Sequence, residues 1–301
     1  MHKILQYVII LKMKNIIILS GGWTEPFASL KSAKTVISLL KIKHSNAHIV
    51  NLDPADGLLN LRKQILDISP DVIINLVHGY WGEDGYAQIF LDKLGFPYTG
   101  PSFQEAHTSM NKHIMHELCK ELSVPIPKSG YVSESKYIEK VHCYPHIIKP
   151  IRGGSSYGID VINNENEKIN HAAKDPILIY EEIIDGPELC IAIKKGKCLG
   201  TILIDHDDQI YTVHAKNTDE NVRFIDPKIY GVSDKMLEDA KSYASKLYNH
   251  VNGRGIARID FKVTDKPYFI DYNSIPGMVL IPRILKLNGY SDEDMIDLLI
   301  N

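Results

Sequence analysis

Two short apolar segments near the end of this chain, Arg258-Ile259-Asp260-Phe261 and Phe269-Ile270-Asp271-Tyr272-Asn273, alternate polar and apolar residues across a gap of turn length. Alternation of period two is the mark of a strand, and it puts Asp271 and Asn273 on one strand face while Asp260 comes from the neighbouring segment. An all-oxygen set of this kind suits Mg2+, which keeps some of its waters and is otherwise held by one or two carboxylates and substrate phosphates. The plainer alternative is a hairpin whose Asp and Asn residues merely end strands.

A chain of 301 residues is long enough for a large core and for two or three domains. Its formal charge of -3 and 44% hydrophobic content point away from disorder and from a polyanion-binding surface, and no basic stripe suggests nucleic acid. The cysteines at 119, 143, 190 and 198 lack metal-type CxxC spacing and read as free thiols of a reducing, cytoplasmic compartment. The opening MHKILQYVIILKMKNIIIL has an apolar run too short and too interrupted by Lys12 and Lys14 to span a bilayer, and it lacks a small-residue cleavage site. The repeated apolar text around Met13 also admits a fold that begins at MKNIIIL, with the preceding dozen residues as an extension.

The expected class is α/β, α+β over the whole chain, in three blocks: 1–102, 103–190 and 191–301. Asn15 to Leu19, the Gly21-Gly22 turn and a helical Ser32 to Lys41 open a doubly wound unit, continued by strands at Ala47 to Leu52 and Val72 to Val77. The loop His78 to Gly85 then lies at the carboxyl edge of a parallel sheet, where ligands usually bind. The second block starts with a helix over Gln104 to Leu122, stopped by Val124-Pro125-Ile126-Pro127. Its strands at His146 to Pro150 and Ile177 to Ile184 suggest a small mixed sheet beside a glycine loop. The third has a hairpin, a loop from Ala215 to Asp226, a helix from Ser233 to Val251 and the carboxylate-bearing strands.

Gly153-Gly154-Ser155-Ser156-Tyr157-Gly158 offers backbone N–H groups and hydroxyls that can wrap phosphate oxygens, although it has neither Walker A nor GxGxxG spacing and has a Gly/Ser turn with no ligand as its alternative. Lys149, just before it, and Lys112 on the preceding helix are point charges for phosphate or solvated surface groups. Glu181, Glu182 and Glu188 can accept from an adenine amino group or ribose hydroxyls, or simply end strands.

Taken together, HGYWGEDGYAQ at 78–88, LGFPYTGP at 94–101, SMNKHIM at 109–115, KPIRGGSSYGI at 149–159, EEIIDGPE at 181–188, RIDF at 258–261 and DYNSIPGM at 271–278 closely resemble the D-alanine:D-alanine ligase branch of the ATP-grasp superfamily, from about Asn15 to Gly289. The resemblance implies an ATP-grasp fold behind an N-terminal doubly wound domain, with ATP between the central and C-terminal parts. It implies that Lys112, Lys149 and Lys216 contact ATP phosphates, that Ser155 and Ser156 belong to the loop over phosphate and substrate, and that Glu181 faces adenine and Glu188 the ribose. Asp260, Asp271 and Asn273 would hold two Mg2+ ions, and Arg258 would stabilise the reacting acyl phosphate. Glu25 would receive the first amino acid's ammonium and His78 would lie near its carboxylate. The implied reaction forms an acyl phosphate from a substrate carboxylate and ATP, and a second substrate's amine then attacks it, as in peptidoglycan synthesis. Small amino acids are the implied partners, with no nucleic acid or membrane, and homodimers are common among such relatives.

Several positions depart from the family pattern. Asp271 stands for the usual glutamate, and Asn217 for a tyrosine that covers the first amino acid, with His214 three residues before it. Val279-Leu280-Ile281-Pro282-Arg283 replaces a serine-containing segment that grips the second carboxylate, which leaves Arg283 as a substitute contact. Trp23, Pro26 and Phe27 make the entrance near Glu25 less polar. The departures fall on the amino-acid sites, so a related dipeptide or amino-acid-conjugate ligase is an alternative product class, and an idle nucleotide-binding protein is another. Alanine at Asp260 is expected to abolish turnover with little loss of fold.

Overall fold

Ile16–Gly21 (β1) is a run of four bulky apolar residues with no alternation, and it is buried on both faces. That is the behaviour of a central parallel strand covered by helices on either side. β1 pairs in parallel with Ala47–Leu52 (β2) and Val72–Asn75 (β3), and β3 with Tyr98–Thr99 (β4), in the order β2-β1-β3-β4. Helices Pro26–Leu40 (α1), Gly57–Ile68 (α2) and Tyr86–Leu94 (α3) connect them. The computed structural model describes residues 15–44, 46–133, 144–154, 158–167, 177–206 and 222–300.

The chain divides into two units. The first joins the opening 107 residues to 252–257 and 274–301. Its core sets Ile17, Leu19, Val50, Leu52, Ile73 and Val77 against Leu61, Ile65 and Leu91 of the helices. Arg254 is bound into it by its Nε, which donates to the Gly100 carbonyl at 2.9 Å, and by a guanidinium 4.2 Å from the Tyr98 ring centre. Leu280–Leu287 (α8) and Asp292–Ile300 (α9) complete this unit, α9 lying against α1 and β3.

The second unit, 108–251 with 258–273, contains two sheets. One has the order β5-β8-β6-β7, from Ser129–Ser133 (β5), His146–Pro150 (β6), Asp160–Ile162 (β7) and Ile177–Glu182 (β8). The other has the order β11-β10-β9-β12-β13, from Glu188–Lys194 (β9), Lys197–His206 (β10), Val222–Ile225 (β11), Ala257–Val263 (β12) and Pro267–Asn273 (β13). Asp234–His250 (α7), N-capped by Ser233 Oγ on the Met236 amide, packs on β9, β10 and β13.

Four local expectations change. α1 begins at Pro26 rather than Ser32, because proline at the first helical position is already set in the helical φ range, and Glu25 becomes the N-cap residue. The single helix over Gln104 to Leu122 is two, Phe103–Met110 (α4) and Lys112–Glu121 (α5), because Asn111 turns out of the helix and its Oδ1 accepts from the His113 and Ile114 amides at 3.0 and 3.3 Å. The strand pairs of the β5-to-β8 sheet are all antiparallel rather than mixed. Of the loop expected over Ala215 to Asp226, Val222 to Ile225 form β11 and Pro227–Tyr230 (α6) follows; the earlier residues lie outside the described set.

Candidate active site

In the first unit the loops after β1 and β3 meet at the carboxyl edge, where the strand order reverses and α/β sheets bind ligands. The Trp23 amide donates to the Tyr80 carbonyl at 3.1 Å, and the Tyr80 amide to Thr24 Oγ1 at 3.0 Å. The HGYWGEDGYAQ segment is held by its own side chains: Glu83 Oε2 accepts from the Gly79 amide (2.8 Å), Asp84 Oδ1 from the Tyr86 amide (3.0 Å), and Gln88 Nε2 donates to the Gly82 carbonyl (2.6 Å). A methyl group on Gly82 would overlap the Val77 carbonyl. We expect Gly82→Ala to lower stability by about 1–3 kcal/mol through this overpacking, measured as a shift in the denaturation midpoint; an unchanged midpoint would mean the loop relaxes freely.

Within this frame Glu25 is buried, its side chain makes no cap hydrogen bond, and its carboxylate lies against Gly79. His78 is buried as well, with Nε2 2.9 Å from Ser32 Oγ, which accepts from the Met278 amide at 3.0 Å. Ser32 therefore ties α1, the histidine and the start of the C-terminal segment together. No local motif marks it. The aromatic entrance is a stack of Trp81 on Tyr86, centroids 4.8 Å apart, with Trp23 6.0 Å from Trp81. Arg283 is in α8 and half-buried.

In the second unit, Lys149 of β6 and Glu181 of β8 lie on one face of the sheet because Glu181 pairs with Ile147, two residues from Lys149. Lys149 Nζ is 2.8 Å from Glu181 Oε2, and His116 Nε2 from α5 is 3.4 Å from Oε1, with all three side chains nearly fully buried. Neither Glu181 oxygen receives a well-aligned hydrogen bond from the described residues, so this carboxylate keeps acceptor capacity in a buried place. Burial, then the Lys149 ammonium, push the His116 imidazole down to about 3. Lys112 binds the root of the glycine loop: its amide donates to the Ile151 carbonyl at 3.0 Å and its Nζ to the Gly153 carbonyl at 2.6 Å.

The other sheet carries a second polar face. Arg258 pairs across with Asn273, and Asp260 with Asp271, in antiparallel register. Below them the register shifts, so that Phe261 pairs with Phe269 and Ile270 is the extra residue. Simple alternation would have put Phe269 on the face of Asp271. The bulge instead lets Phe269 stack edge-on to Phe261, centroids 6.2 Å apart, while Asp271 stays opposite Asp260. Arg258 clasps Asp260 with Nε at 2.8 Å and Nη2 at 2.8 Å from the two carboxylate oxygens. Asn273 Nδ2 donates to Asp260 Oδ2 at 2.9 Å, which leaves its carbonyl oxygen as an acceptor. Although burial opposes the Arg258 charge, Asp260 outweighs it and raises the guanidinium pKa.

Glu188 starts β9 beside this face. The Gly186-Pro187 turn before it lies hard against β12: the Val263 amide donates to the Pro187 carbonyl at 3.1 Å and Lys262 Nζ to the Gly186 carbonyl at 2.8 Å, where any side chain on residue 186 would strike the Val263 carbonyl. Cys190, two residues on, points the same way, and burial, then Asp260 and Glu188, push its thiol well above the ordinary range. Among the described residues, Glu188, Cys190 and Asp260 bring three potential metal-ligand atoms within 4.8 Å of one another. Cys119, Cys190 and Cys198 are free thiols, and Cys143 lies outside the described residues. No described helix is long and apolar enough to cross a membrane.

Lys112, Lys149, Glu181, Glu188, Arg258, Asp260, Asp271 and Asn273 thus fall in the second unit, and Glu25, His78 and Arg283 in the first. Ser155, Ser156, His214, Lys216 and Asn217 lie outside the described residues. Ser32, His116 and Cys190 were not anticipated. His116 lies one helical turn from Lys112, and Cys190 follows Glu188 by two in a strand, so periodicity alone signalled both.

A family model described as D-ala D-ala ligase C-terminus matches residues 111–301. The D-alanine--D-alanine ligase of Fusobacterium nucleatum is 30% identical over 290 residues, covering 94% of this chain and 97% of that one. A crystal structure of D-alanine--D-alanine ligase from Bacillus anthracis complexed with ATP superposes with TM-score 0.76 at 22% identity, over 95% of this chain and 96% of that one. The VanG D-Ala:D-Ser ligase structure from Enterococcus faecalis gives TM-score 0.74 at 23% identity, over 96% and 99% of the two chains. At these identities the two structures show a shared fold.

Proposed function

We propose, from the premise that this chain belongs to the D-alanine–D-alanine ligase family of the ATP-grasp superfamily, that it is an ATP-dependent ligase that joins two D-alanines with release of ADP and phosphate. The coarser statement, an ATP-grasp carboxylate–amine ligase, is the family's chemistry. The observation that carries the reading is the single face formed by Arg258, Asp260, Asp271 and Asn273 in register on β12 and β13. Its carboxylate and amide oxygens are the hard donors that Mg2+ takes, and Asp260, Asp271 and Asn273 would hold it. Bound there, Mg2+ would neutralise charge on the nucleotide's phosphate oxygens.

The chain's own groups divide the remaining work. Lys149 and Lys112, both at the root of the glycine loop, are cations for the phosphates. Glu181, buried with unfilled acceptor capacity, suits an adenine amino donor, and Glu188 suits the ribose. Arg258, released from Asp260 when another cation replaces it, would stabilise negative charge on the acyl phosphate and its transition states. Alignment and charge neutralisation supply the rate, and no enzyme nucleophile is required. Glu25 would hold the first substrate's ammonium and His78, oriented by Ser32, its carboxylate. We keep the three-block division of the chain as part of this proposal.

D-Ala as both substrates is the narrower claim, and the replaced segment after Met278 is where another acceptor would enter. A phosphate-release screen over pairs of D- and L-amino acids with mass analysis of products decides it. We expect release with D-alanine and a D-alanyl-D-alanine product; release only with another pair moves the chain to a related ligase, and tight ATP binding with no turnover on any pair overturns the ligase reading.

A further inference from the structure

We propose that Glu188, Cys190 and Asp260 form a site for a thiophilic divalent cation of the Zn2+ type, and that such a cation inhibits the enzyme in competition with magnesium nucleotide. The binding claim stands on geometry alone, and only its inhibitory consequence rests on the function proposed above. The three ligand atoms lie within 4.8 Å of one another, so that a small side-chain rotation is enough to bring all of them onto one ion. Glu188 and Cys190 are two apart on β9 and so face one way, and the neighbouring strand β12 brings Asp260 to the same place. Cys190 Sγ is 3.8 Å from Glu188 Oε1.

A sulfur contributes nothing to a magnesium site, whose ligands are oxygens, but it strengthens the binding of softer cations greatly. The two carboxylates supply the negative charge that offsets the ion. Binding breaks the Cys190 S–H bond, forms the sulfur–metal bond and sends the proton to solvent, while Arg258 turns from Asp260 because the ion takes over the charge it was balancing. Since Asp260 also belongs to the proposed Mg2+ face, one cation excludes the other. The remaining described thiols are differently placed: Cys119 lies within α5, and Cys198 points at the Gly200 carbonyl, 3.7 Å away.

The full-length, nucleotide-free protein is titrated with Cd2+ and the sulfur-to-cadmium charge-transfer absorbance is followed. We expect a band saturating near one ion per chain, retained in Cys119→Ser, lost in Cys190→Ala and weakened in Glu188→Gln, which keeps the thiol if the cysteine variant fails to fold. No band, a band that survives Cys190→Ala, or, where that variant does not fold, a band unchanged in Glu188→Gln overturns the site. In a second arm, Zn2+ inhibition of phosphate release is measured for each variant against its own uninhibited rate, and the half-inhibiting concentration should rise about tenfold or more in Cys190→Ala, a factor worth about 1.4 kcal/mol. A Cys190-dependent band in a chain that turns over no amino-acid pair leaves the metal site standing and removes the ligase; turnover without the band does the reverse.

Discussion

Asp260→Asn is expected to abolish turnover, by a factor on the order of 10³, while the protein stays folded. The amide keeps the shape of the side chain and can still accept from Arg258, but it removes the negative charge from the centre of the polar face, where Arg258 and Asn273 both donate to it. Alanine there is a different experiment. The Arg258–Asp260 pair is largely buried, and both variants remove its negative charge, but alanine also removes every acceptor facing the guanidinium and leaves a gap beside it, a change that costs about 3–5 kcal/mol. The sequence-level expectation that Asp260→Ala would spare the fold is therefore replaced: we expect Tm to fall by about 10 °C. Steady-state phosphate release and thermal melts on both variants check this. Normal activity in Asp260→Asn removes the residue from the site, and an unshifted melt in Asp260→Ala removes the buried pair from the stability argument.

Lys149→Met is expected to destabilise the second unit by about 3–5 kcal/mol and to remove nucleotide binding. The methionine fills the space, but Glu181 loses the ammonium 2.8 Å away and is left buried beside His116 with no cation in contact among the described residues that the fold keeps charged. A double variant, Lys149→Met with Glu181→Gln, should regain most of the stability but none of the nucleotide affinity, because it removes the stranded charge without restoring a cation. Denaturant titration and calorimetry with magnesium nucleotide separate the two effects.

The same pair predicts a change with pH. His116 sits at about 3 in the folded chain against an ordinary 6.5, so the unfolded chain binds a proton in that window that the folded chain refuses. Its contribution to stability is complete above 6.5 and is lost as pH falls towards 3. With Lys149 gone and Glu181 still charged, the imidazole rises towards its ordinary value and this acid sensitivity should flatten. An unchanged pH profile would mean that burial alone, without Lys149, controls the histidine.

Much of the site was legible because its signals are local. Asp271 and Asn273 share a face through strand periodicity, and Lys149 precedes the glycine loop in the sequence itself. Asn111 and Ser233 are residue types that cap helices, and both do so. The helix break at Asn111 was missed although the signal was present, since apolar residues continue at helical spacing on both sides and mask the cap. The early start of α1 was missed for a similar reason: Pro26 looks like a breaker unless it is read as a first helical residue.

What the amino-acid order determined by itself about this protein is the identity of its strands, the faces on which its carboxylates lie and the motif set that places it in its family, because each depends on residues a few positions apart. The tertiary structure alone decided which strands became neighbours. Sheet order set Cys190 and Glu188 beside Asp260 across some seventy residues of chain, the shift at Ile270 turned Phe269 into the core, and the packing of α5 on its sheet brought His116 to Glu181. Contacts of that kind depend on how distant segments bury one another, and no local period in the chain encodes them.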